Sequence, residues 1–153
     1  MTPTDRSTSP LAWALPVFAL AVGVLGMTAL WLAVTLSLRS PCGWLAPVAA
    51  LDMVLMLRLA AAPAHPLRAV LAVAGTALAI GASYFMFAAT QMGRLLGLTP
   101  LESADRIGWV LAGDLVRYAT DAYDVAYAVL ALVLAAWLAR PAAGRVSARR
   151  PPT

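Results

Sequence analysis

The chain has 153 residues, of which 62% are hydrophobic and 12% charged, with a formal net charge of +4. Soluble domains carry about 25% charged residues, so a soluble globular enzyme is excluded for want of polar surface. The apolar excess excludes disorder as well. A small integral membrane protein is what remains.

All 11 basic residues are arginine, and they are scattered except at the C-terminus. Nucleic-acid binding needs a clustered basic face, so no nucleic-acid partner is expected. Cys42 is the only cysteine and His65 the only histidine. That removes an internal disulfide, a CxxC site and a bis-histidine haem within one chain. No metal and no cofactor is expected.

A helix needs about 20 mainly apolar residues to cross the hydrocarbon core. After a polar segment at 1–10, Leu11 to Leu38 contains no charged residue. It is too long for a cleaved signal peptide and is expected as a retained first span. Ser40-Pro41-Cys42-Gly43 marks a turn. A second span follows over about 44–62, interrupted by Asp52 and Arg58. Pro63 and Pro66 end it, because each forces its preceding residue out of helical geometry. The third span, about 67–92, has no acidic residue and stops at Gly93-Arg94.

Thr99-Pro100-Leu101-Glu102 then reads as a capping box with proline at the first helical position. Leu101, Ala104, Gly108, Leu111, Leu115 and Tyr118 recur at spacings of three and four. That pattern predicts an amphipathic helix over about 100–118, lying along the membrane surface or over the bundle mouth. The last span is about 122–139, closed by Arg140-Pro141. The tail at 141–153 is basic and is expected to be disordered beside the anionic inner leaflet. The expected fold is all-α: a single four-helix transmembrane bundle with an interfacial amphipathic helix between helices 3 and 4.

With four spans both termini share a side. That side holds Arg6, Arg58, Arg68, Arg140, Arg145, Arg149 and Arg150, against Arg39, Arg94, Arg106 and Arg117 on the other. Seven against four favours cytoplasmic termini, in the inner membrane of a bacterium.

Asp52 is the sharpest anomaly, near the middle of the second span. A charged aspartate there costs roughly 2.5–3.5 kcal/mol on insertion scales. It reads either as a proton or cation relay or polar substrate contact, or as a neutral acid bonded across the bundle to Thr76, Ser83 or a carbonyl. Arg58 reads as a snorkelling anchor. Asp121 and Asp124 form an i, i+3 pair, and Asp114 and Arg117 extend their stripe if the helix is continuous. An acidic outer mouth of Asp114, Asp121 and Asp124 would attract a cation. The plainer reading has Thr120 capping the last span, with the aspartates in its first turns. Gln91 and Arg94 are candidates to contact Asp121 or Asp124. Small residues recur at four-residue spacing at Ala19 and Gly23, Ala77 and Gly81, Gly93 and Gly97, and Ala131, Ala135 and Ala139, which allows close helix approach.

These features point to a transport-related protein or an accessory subunit of a membrane complex. The partners expected are the lipid bilayer and either further copies of the chain or a larger membrane complex. The alternatives are an intramembrane enzyme on lipid or envelope substrates, using Asp52 with Asp121 or Asp124, and a purely structural or assembly protein. Nucleophile–base catalysis has little to draw on here, with one His, one Cys and no Lys.

Overall fold

The structure, a computed structural model, describes residues 10–40, 42–63, 65–99, 102–103 and 108–140. The expected polar N-terminal segment and basic tail lie outside the described residues. Within them the chain is all-helical: α1 (Pro10–Leu38), a 3-10 turn (Gly43–Leu45), α2 (Ala46–Leu59), α3 (Leu67–Leu96), α4 (Trp109–Ala119) and α5 (Ala122–Leu138). Two stretches, Trp13–Leu38 and Leu67–Leu96, are long and apolar enough to cross a membrane. The other two bundle helices are shorter. α2 has 14 residues and α5 has 17, so they rise about 21 Å and 25 Å at 1.5 Å per residue.

α2 and α3 form the centre. α1 packs on both, α5 packs on both, and α4 lies along α3. The buried faces are made largely of small side chains. α2 buries Ala46, Ala49 and Ala50 with Met53, Val54 and Leu57, while α5 buries only Ala131 and Ala135, with Ala139 just past its end. The alanine row at four-residue spacing is therefore the packing face of α5. Glycine serves the same end in α1, where a Cβ on Gly23 would stand 2.9 Å from Met56 Cγ and 3.1 Å from Met53 Cε. Bulk is concentrated at Trp31, which is buried and tilts against Tyr84 at 5.8 Å between centroids.

Helix ends are closed by local signals and by long-range ones. Thr99 and Glu102 make the expected capping box: Thr99 N–H donates to Glu102 Oε2 at 2.9 Å, and Glu102 N–H to Thr99 Oγ1 at 3.4 Å. These bonds from Thr99 hold the Glu102 carboxyl below its usual range. The amphipathic helix, however, is not one piece from 100 to 118. Gly108 has φ 53 and ψ 153, outside helical geometry, and α4 begins after it at Trp109. Gly108 fits the apolar stripe by spacing, but its backbone breaks the helix. Residues 100–101 and 104–107 lie outside the described residues.

At the opposite end Arg58 Nη2 donates to the Leu138 carbonyl at 3.0 Å and Arg68 Nε to the Ala139 carbonyl at 3.1 Å. Both guanidiniums thus satisfy carbonyls that the end of α5 leaves unpaired, where the helix dipole favours positive charge. Arg58 binds α5 as well as lying near the end of α2. Trp13 meets His65 edge-on at 6.3 Å, which brings the start of α1 onto the α2–α3 turn.

That turn closes α2 with Ala62 N–H on the Leu57 carbonyl and Ala61 N–H on the Arg58 carbonyl, both 3.0 Å. The pattern normally places glycine at the left-handed position, which Ala61 occupies at φ 50. Ala61→Gly is expected to stabilise the protein by about 0.5–1 kcal/mol. Gly97→Ala, at φ 68 after α3, is expected to destabilise it by a similar amount. Unfolding midpoints in detergent check both, and a lower midpoint for Ala61→Gly would contradict the assignment.

Candidate functional site

Asp52 stands halfway along α2, half-buried, on the side that meets α1. It borders a groove of about 300 Å3 with Gly23, Gly26 and Leu30 of α1 and Val48 and Met56 of α2. A Cβ on Gly23 would come 3.5 Å from Asp52 Oδ2. No hydrogen bond or ion pair joins Asp52 to any described residue.

Thr76 and Ser83, the expected partners, are turned to their own helix. Thr76 donates to the Ala72 carbonyl at 2.8 Å and Ser83 to the Ala79 carbonyl at 2.7 Å. Thr28, Thr35, Ser37 and Thr90 do the same on α1 and α3. A helical Ser or Thr hydroxyl readily takes the carbonyl three or four residues back. Among the described residues the acid therefore has no polar partner inside the bundle.

The acidic residues Asp114, Asp121 and Asp124 divide into two groups. Asp121 and Asp124 come together as the capping box of α5, with Asp121 N–H donating to Asp124 Oδ2 at 3.3 Å. The cap is Asp121 and not Thr120, which is extended at φ −98 and donates its hydroxyl to the Val116 carbonyl at 2.6 Å. This break separates α4 from α5, so Asp114 and Arg117 do not continue the stripe. They are exposed on α4. Gln91 and Arg94 are exposed on α3 and form no hydrogen bond or ion pair with Asp121 or Asp124. No group of three His, Cys, Asp or Glu side chains among the described residues is placed to hold a metal ion.

Asp124 has a second role that spacing alone does not reveal. Its carboxylate fills the space beside Gly43, where a Cβ would overlap Oδ1 and lie 2.8 Å from Cγ. Behind it sits the buried Tyr84 hydroxyl, within electrostatic reach of Asp124 but outside hydrogen-bond geometry. Cys42 completes the cluster as a buried free thiol at φ 53. Burial pushes this thiol up, the Asp124 carboxylate adds to the rise, and the neighbouring Trp44 opposes it. The cluster ties the α1–α2 turn to α3 and to the start of α5.

A wider groove, about 670 Å3, lies between α1, α3 and α4, bordered by Leu25, Thr28, Gly81, Phe85 and Val116. A Cβ on Gly81 would meet nothing within 4 Å. The Ala77–Gly81 pair therefore borders open space instead of a tight helix contact. Comparison of the chain with known protein families, curated proteins and solved structures finds no match.

The Gly43 contact sets the next prediction. Gly43→Ala forces Asp124 away and is expected to cost about 1–3 kcal/mol, the usual scale of overpacking. Thiolate is the species that a maleimide attacks. Native Cys42 should thus label slowly, with a pH midpoint above that of an ordinary thiol, and Gly43→Ala should label faster, with its midpoint shifted down. Equal rates for the two proteins would remove Asp124 as the cover of this turn.

Proposed function

We propose that the chain is a four-span protein of a bacterial inner membrane, with cytoplasmic termini, acting as a small subunit of a larger transport or envelope assembly. One observation carries the membrane reading. Large apolar side chains stand on the outside, while the inside packs alanines around Trp31, Met53 and Leu57, with the Thr76 and Ser83 hydroxyls bonded to their own helix. Phe18 is 67% exposed, Leu25 71%, Leu78 63% and Trp137 65%. A soluble monomer does not tolerate apolar surface on that scale, whereas lipid accepts it.

The subunit reading follows from where Asp52 opens. A carrier needs a polar passage between its helices, and the centre of this bundle is filled by Met53, Leu57, Trp31 and alanines. The acid opens sideways, toward the surface that a neighbouring protein would cover. The placing of Asp124 counts against the enzyme alternative. Asp124 lies against Gly43, nine residues before Asp52 along the chain, a rise of about 13 Å if helical throughout.

Shorter α2 and α5 remain compatible with crossing. The 3-10 turn extends α2, and Arg140, just past α5, can reach headgroups by snorkelling. Reporter fusions after Thr153 and within residues 63–66 should read cytoplasmic, and fusions near Leu98 periplasmic. In mild detergent the natively expressed protein should migrate well above its 16.0 kDa mass with other chains attached. A monomer that supports solute flux alone in proteoliposomes would replace the subunit reading with that of a carrier.

A further inference from the structure

The outward face of the α1–α2 pair is built for a helix. Val22, Gly26 and Leu30 of α1 and Val48, Asp52 and Met56 of α2 border the groove, each set at i, i+4 and i+8. Rows at that spacing are the ridges between which another helix seats its own. The two glycines of α1 lower its wall: Gly23 is buried against α2, and a Cβ on Gly26 would meet nothing within 4 Å. Close backbone approach at glycine is how helices associate where lipid removes the hydrophobic drive. In the middle of this otherwise apolar groove stands a carboxyl with no partner among the described residues.

We propose that the α1–α2 groove seats one transmembrane helix of a different protein, and that this helix presents a lysine or arginine to Asp52. The inference rests on the membrane-subunit reading and names the partner's chemistry. Acidic groups inside a membrane pair with basic ones or with backbone, and the surrounding hydroxyls of this chain are committed to their own carbonyls. A second copy is the poorer occupant. The chain has no lysine, and its described arginines, Arg39, Arg58, Arg68, Arg94, Arg117 and Arg140, all lie in turns or in the last turn or first turn of a helix. Two copies in the same orientation would set Asp52 against Asp52.

The test uses the full-length protein, donor-labelled and reconstituted in phosphatidylcholine vesicles. The probe is an acceptor-labelled leucine–alanine transmembrane peptide with one central lysine, beside the same peptide with leucine there. Energy transfer should show the lysine peptide bound about tenfold more tightly, the scale of a polar contact between membrane helices. Asp52→Asn and Asp52→Leu should each reduce it to the level of the leucine peptide. Gly26→Leu points into open space, so the protein should fold normally and lose both peptides. Circular dichroism and thermal melting of each variant confirm folding.

Equal binding of the two peptides to the native chain would overturn the proposal. So would an unchanged lysine preference in Gly26→Leu, or Asp52-dependent transfer between two copies of the chain. Vesicle flotation separates the levels of failure. Protein that floats but ignores the lysine refutes only the partner assignment, whereas protein that does not float refutes the membrane reading and the proposal with it.

Discussion

Hydrogen bonds closed within each helix are the constraint on which the other contacts depend. Thr28, Thr35, Ser37, Thr76, Ser83 and Thr90 all return their protons to carbonyls of the same helix. In lipid every backbone and hydroxyl group has to find a partner inside the protein. Once the helices have done so individually, little polar attraction is left to join them. Association then depends on how closely their backbones can approach, and that explains the alanines of α2 and α5 and Gly23 of α1. A methyl-sized contact loses little side-chain entropy, and many weak dispersion contacts add up when surfaces fit.

α5 shows what this economy of contact requires at its ends. Its buried face is alanine, so it gains less from packing than a helix that buries leucines. Both ends are instead tied to other elements. Asp121 and Asp124 sit at the positive end of its dipole, and Asp124 is wedged against Gly43. Arg58 and Arg68 reach its negative end from α2 and α3. Each charge complements the helix dipole, and Asp124, Arg58 and Arg68 also cross to a neighbouring element. The end contacts thereby set the height of α5 relative to α2 and α3, which a smooth alanine surface alone would leave free to slide.

The parts of this arrangement that were legible in the sequence are those written in local chemistry. The uncharged run before Arg39 marks α1 to its last residue, Leu38, and the two prolines around His65 separate α2 from α3. Thr99 and Glu102 announce their own bonds. The alanine row at 131, 135 and 139 is a packing face, although so alanine-rich a chain offers such rows by chance. What escaped depends on residues far apart or on a single backbone angle. Gly108 fits an apolar stripe as well as it breaks a helix, and only its φ distinguishes the two. Asp121 and Thr120 are both good caps, and the choice follows from the turn between α4 and α5. The pairs Gly43–Asp124 and Arg58–Leu138 join residues some 80 positions apart, and no period or spacing encodes them.

Asp52 was legible as an anomaly but not in its direction. A helix of 14 residues packed on three neighbours has few positions that face outward, and α2 fills them with Val48, Leu51, Leu55 and Leu59. Placing the acid beside that stripe, instead of among Ala49, Ala50 and Met53, spares the core an uncompensated carboxyl, whose burial would need its own donors. On the proposed membrane reading the cost moves to the side that lipid would touch, where it persists as long as lipid is the neighbour. An acid retained there for packing alone would be hard to explain, because leucine at position 52 would continue the stripe at no such cost. The position of Asp52 therefore supports the proposed partner helix: among the described residues the bundle packs without using the acid, which leaves its carboxyl to the groove between α1 and α2.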